Sequence, residues 1–156
     1  MALKISENKM PINLNYLTTQ DIIWINLQVT NKVNLFEYSG LEEAANCQYG
    51  YHNSASIYKQ ALTFIHTFIK NAPFAEGNQA TALIAFMAFL KFNGHTLNIP
   101  DKKAKDYFET IKAGKIDANT LSYQCVDEEP KTKLEPLIEE LVKTYKGTIK
   151  NLNKTN

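Results

Sequence analysis

Apolar residues recur along this chain at the spacing of helices. Thr18-Thr19-Gln20-Asp21, a capping-box variant just ahead of Ile22, Ile23, Trp24, Ile25 and Leu27, predicts a first helix start. Ser39-Gly40-Leu41-Glu42 opens a short second helix through about Tyr49. Ile57, Ala61, Phe64, Ile65 and Phe68 mark a third, from about Asn53 to Ile69. The pattern then stops at a loop, Asn71 to Gly77, where Pro73 cannot continue a helix. From about Asn78 to Phe92 the residues are apolar nearly all round, which places that helix in the middle of a domain. Asn93-Gly94 supplies its C-cap, and Pro100 starts a helix that Gly114 stops after about Ala113. A short helix near Ala118 to Gln124 follows. Beyond the acidic loop Asp127-Glu128-Glu129-Pro130, a last helix carries Leu134, Leu137, Ile138, Leu141, Val142 and Tyr145 on one face and extends to about Asn151.

No strand alternation, repeat or dividing linker appears. The expected architecture is all-α, a helical bundle around one buried central helix. Residues 1–14 form a loose arm, 15–125 the core, and 126–156 a C-terminal amphipathic helix and tail.

Composition narrows the function classes. With 156 residues, 44% of them hydrophobic and 21% charged, the chain has ordinary globular proportions and can bury a core. A formal net charge of +1 offers no long-range field for nucleic acid or a membrane surface, so neither is expected as a partner. The N-terminal segment to Pro11 is polar and does not read as a signal peptide, and the longest apolar stretch, Ala82 to Leu90, is too short to span a bilayer. Cys47 and Cys125 stand in no metal-ligand or disulfide pattern; they read as small core residues of a cytoplasmic protein. All 17 basic residues are lysine. The planar fork with which arginine grips a phosphate on two sides is therefore missing from the whole chain.

The segment richest in chemistry is Lys70-Asn71-Ala72-Pro73-Phe74-Ala75-Glu76-Gly77-Asn78-Gln79-Ala80-Thr81-Ala82. It joins a buried helix to the central one through a Pro/Gly loop. The first amides of the central helix have no intrahelical partner, and an acidic residue and a glycine stand just before them. Such a helix start can receive an anion, or can be simply a structural loop.

This segment resembles the signature of the Fic/Doc (Fido) family, in particular its death-on-curing (Doc-like) branch. The matches are Lys70, Asn71, Pro73, Phe74, Gly77, Asn78, Thr81, Ala82 and Asn93-Gly94, with Glu76 in the acidic position. Leu17 to Asp21, Gly40 to Ala44 and Gly114-Lys115-Ile116 extend the likeness to about residues 15–125. The resemblance implies a Fic/Doc-like bundle descended from nucleotidyl or phosphoryl transferases, which modify protein hydroxyls by AMPylation or phosphorylation, often as toxins held by an antitoxin. It implies a purine nucleotide with Mg²⁺ as ligand, Glu76 holding the metal, and Phe74, Glu76, Gly77, Asn78 and Gln79 forming the nucleotide or phosphate site. No cofactor follows from the residues alone. A protein partner, either antitoxin-like or a target, is implied as well.

The departures fall on the reacting positions. Ala72 stands where the family has its general-base histidine, and Gln79 and Ala80 stand where the branch has phosphate-holding lysine and arginine. Losing a general base costs about 10²–10⁴ in rate, and losing a transition-state stabiliser about 10²–10³. The expectation is a catalytically impaired protein, with no catalytic residue, that acts by binding a partner or nucleotide. The alternative is an active Doc-like transferase with a displaced base, His66 being the nearby candidate. A third reading is an interaction protein whose pocket is closed.

His52 and His95 belong to no constellation. The aromatic residues read as packing, with Tyr49 and Tyr51 as an alternative partner surface. Lys143, Lys146, Lys150 and Lys154 read as a solvated face. The apolar stripe of the last helix can dock on the domain, form a homodimer or cover the site.

Overall fold

A computed structural model describes residues 14–50 and 56–155. Most of the predicted arm lies outside these residues, as do Tyr51, His52 and the expected start of the third helix near Asn53. The helices are α1 (Thr19–Thr30), α2 (Tyr38–Asn46), α3 (Ile57–Asn71), α4 (Asn78–Phe92), α5 (Asp101–Lys112), α6 (Ala118–Gln124), α7 (Leu134–Thr144) and α8 (Lys146–Leu152), with a 3₁₀ turn at Cys47–Tyr49. The fold is all-α, and its centre is α4.

Residues 80 to 90 of α4 are all buried, because α1, α3, α7 and α8 pack around it. Phe64 and Phe68 from α3, Phe86 and Phe89 from α4 and Phe108 from α5 are fully enclosed. Each such side chain contributes about 1.5–3 kcal/mol by leaving water, so α3 and α4 form a stiff platform for the loop between them. The start of α1 follows local chemistry. The Thr18 hydroxyl accepts from the Asp21 amide, while Asp21 Oδ2 accepts from the Thr18 amide, closing the capping box.

The structure departs from the sequence expectation in several places. Helix α2 starts at Tyr38, since the Glu37 carboxylate accepts from the Gly40 amide at 2.9 Å and caps the helix two residues ahead of the expected signal at Ser39. Helix α3 runs on to Asn71, with Ser56 as its N-cap. A small antiparallel ribbon, β1 (His95–Leu97) with β2 (Cys125–Asp127), pairs His95 with Asp127; three residues are too few to show an alternating pattern. Cys47 and Cys125 are half-buried, not enclosed in the core.

The expected last helix breaks in two at Tyr145. Its hydroxyl donates to Ile99 O at 2.5 Å, and Asp101 caps the new helix by accepting from the Gly147 and Thr148 amides at 3.1 and 2.9 Å. Both anchors come from the start of α5, so α8 packs against α5 and the chain turns back toward the N-terminus of α4. Leu137, Ile138, Leu141, Tyr145, Ile149 and Leu152 join the same core as α1 to α4.

Candidate functional site

The loop between α3 and α4 is held on three sides. From within, the Asn78 side chain closes a ring on Phe74, accepting from its amide at 2.9 Å and donating to its carbonyl at 2.7 Å. Phe74 is buried and packs on Phe68 and Phe36. From the α1–α2 connection, residues 35–37 lie antiparallel to the loop: the Ala75 amide donates to Leu35 O and the Glu37 amide to Pro73 O. From α1, buried Asn26 donates to Glu76 O at 2.9 Å and to Thr81 Oγ1 at 3.0 Å, and accepts from Asn34 Nδ2. Buried polar groups are stabilising only when satisfied, and this network is.

Gly77 begins α4 in the left-handed conformation, with φ +78° and no side-chain cap. A Cβ there would collide with Thr30 Cγ2 and crowd Asn26 Nδ2. Glycine is required on both grounds.

Beside Gly77 a polar cleft of about 480 Å³ opens between Thr30 and Lys32 on one side, Glu76 and Gly77 at its floor, and Asn153, Lys154 and Thr155 on the other. The space next to Glu76 is thus open, which argues against the closed-pocket reading. Lys32 Nζ donates to Glu76 Oε2 at 2.7 Å, with both side chains about half exposed. Gln79 Nε2 reaches the tail at Thr155, and Lys112 Nζ donates to Gln79 Oε1 at 3.2 Å. Asn153 Nδ2 donates to Val29 O at 2.9 Å, while its Oδ1, buried in the cleft wall, has no partner.

The sequence-predicted residues divide by what their side chains do. Glu76 and Gly77 line the cleft, and Gln79 bonds to Thr155 in its wall. Phe74 and Asn78 build the loop. Ala72 is exposed, in the left-handed conformation at φ 41°, and brings no titratable group. His66 lies on the unbroken α3, six residues before Ala72, which places about 9 Å of helix rise between them. Ala80 is fully buried, so the position of the resembled arginine has no room for a long cation. Behind the loop, hydrogen bonds from the Ser39 hydroxyl and the Gly40 amide hold the Glu37 carboxyl below its ordinary range.

Sequence reasoning missed Lys32, Asn26 and Asn153. Asn26 did carry a signal: it sits at helical spacing among Ile22, Ile25 and Val29, a polar residue on the buried face of α1. Lys32 and Asn153 carried none, because both reach the site through tertiary contacts.

A Mg²⁺ ion takes nearly ideal octahedral geometry from oxygen ligands. Here the floor of the cleft offers one carboxylate, already bonded to an ammonium. Among the described residues no three histidine, cysteine, aspartate or glutamate side chains come together. This donor set is too small to hold a divalent cation by itself: such an ion would need a ligand's phosphates as well, and would stand beside the Lys32 ammonium. No helix among the described residues is long and apolar enough to cross a membrane.

Residues 16–90, from just before α1 to near the end of α4, match the model of the Fic/DOC family. The matched stretch contains α1, the residue 35–37 segment and the whole loop around Glu76. No curated protein and no solved structure matches the chain significantly.

Proposed function

We propose that this chain is a Fic/DOC-type scaffold that has lost group transfer and acts by binding an anion, of phosphate or nucleotide chemistry, in the cleft at Lys32, Glu76, Gly77 and Lys154. The observation that carries the reading is a polar cleft maintained beside Gly77 while the reacting positions hold Ala72 and the buried Ala80. The match over residues 16–90 supports the transferase ancestry. General-base and phosphate-holding groups act together in transfer, so their rate losses do not simply multiply. Either loss alone, about a hundredfold or more, cripples the reaction.

Titration calorimetry with inorganic phosphate, AMP, ADP and ATP tests the reading. Saturable binding of at least one of them is expected, weakened by Lys154→Ala. If none binds at millimolar concentration, the cleft is not an anion site.

A second reading has its own observation. Val33 is 89% and Leu35 85% exposed, with Phe36 and Tyr38 about half exposed beside them. These apolar side chains line the segment paired with the loop, where a protein partner can gain contact area. Loss of a co-purifying host protein from a Val33→Ser, Leu35→Ser variant would favour this reading.

A further inference from the structure

We infer that the Lys32 ammonium is the resident cation of this cleft, so that a phosphoryl anion binds there without Mg²⁺. The inference rests on the anion-binding reading above. The resemblance to the Fic/Doc signature implies a divalent ion on Glu76. Here Lys32 Nζ already sits 2.7 Å from Glu76 Oε2.

Both ends of this pair are set by backbone contacts. Asn31 ends α1 in the left-handed conformation with its amide on Leu27 O. The Thr30 hydroxyl, whose nearest acceptor is Asn26 O at 2.8 Å, lies 3.0 Å from Lys32 O and 3.4 Å from the Lys32 amide, next to the residue that carries the ammonium. On the other side, Asn26 Nδ2 holds Glu76 O. The two side chains meet in the lining of the cleft.

An ammonium has three donors. One is used on Glu76, which leaves two for phosphoryl oxygens entering beside Gly77. Two lysines, Lys32 and Lys154, against one carboxylate, Glu76, leave the cleft lining one positive charge in excess without any metal. A divalent ion on Glu76 would either take Oε2 from the ammonium or sit on the other carboxylate oxygen close beside it, like charge against like charge. Metal and lysine therefore compete for this carboxylate.

The test measures ATP and inorganic phosphate binding by calorimetry, in EDTA and in millimolar Mg²⁺, for the natural chain, Lys32→Met and Lys32→Arg. Lys32 is half exposed, so neither variant threatens folding. The natural chain is expected to bind equally well under both conditions. Lys32→Met should lose about tenfold or more of its metal-free affinity, the equivalent of about 1.4 kcal/mol, and regain part of it with Mg²⁺ as Glu76 is freed. Lys32→Arg should retain metal-free binding. A natural chain that binds only with Mg²⁺ overturns the inference and leaves the anion-binding reading standing. Unchanged metal-free affinity in Lys32→Met also overturns it. No binding under either condition overturns both.

Discussion

Gln79 Nε2 donates to the backbone carbonyl and the hydroxyl of Thr155, at 3.3 and 3.2 Å, tying the first turn of α4 to the far end of the chain. Its Oε1 accepts from Lys112 at 3.2 Å. The amide thus serves a neutral crossing point between the tail and α5, at the position where the resembled branch carries a lysine.

Gln79→Lys replaces that crossing with a second cation beside Lys112. It should destabilise the chain by about 1 kcal/mol, the worth of an ordinary hydrogen bond, and should expose residues 153–155 to proteolysis. High salt should reverse part of the loss, since screening acts on the new repulsion. A salt-independent effect would place the cause elsewhere.

Ala80→Arg should not restore a phosphate fork. Ala80 is enclosed on α4, and an arginine there must either overpack the core or bury an unpaired charge. A loss of about 3 kcal/mol or more in chemical denaturation is expected. If the variant is as stable as the natural chain, the neighbourhood of Ala80 opens readily, and the cleft is wider than its present walls.

Asp101 links acid sensitivity to the tail. Burial raises its pKa, but the hydrogen bonds from the Thr148 hydroxyl and amide and from the Gly147 amide outweigh it, so the carboxyl stays below its ordinary value of 3.8. The unfolded chain therefore binds the proton more readily than the folded one. The contribution to stability is complete above the ordinary value and falls away as pH drops through the depressed one. Asp101→Asn should flatten the stability-versus-pH curve below about pH 4, read by thermal unfolding across pH 2–6, roughly the span of carboxylate titration. Glu37 and Asp117, both helix caps held below their ordinary values, retain the remaining slope.

What could be read from the sequence was what depends on near neighbours. The ends of α4 and the capping box at Thr18 and Asp21 follow from local side chains and backbone. The break at Tyr145 does not, because the apolar stripe continues through Ile149 and Leu152 and the caps of α8 come from Asp101, more than forty residues away. The candidate site divides in the same way. Glu76 and Gly77 are contiguous in the motif, whereas Lys32 and Asn153 converge on it from opposite ends of the chain. Ala72 and Ala80 were visible as departures, but only packing distinguishes them: one is exposed and repairable, the other enclosed.

The role proposed for this chain is binding without transfer. Its most direct test incubates the natural chain with native host extract and ATP labelled at the α- or the γ-phosphate, beside an Ala72→His variant, and measures label in protein. Binding without transfer predicts no incorporation above an enzyme-free control from the natural chain with either label. Robust incorporation by the natural chain would contradict it and would put a working base somewhere other than position 72.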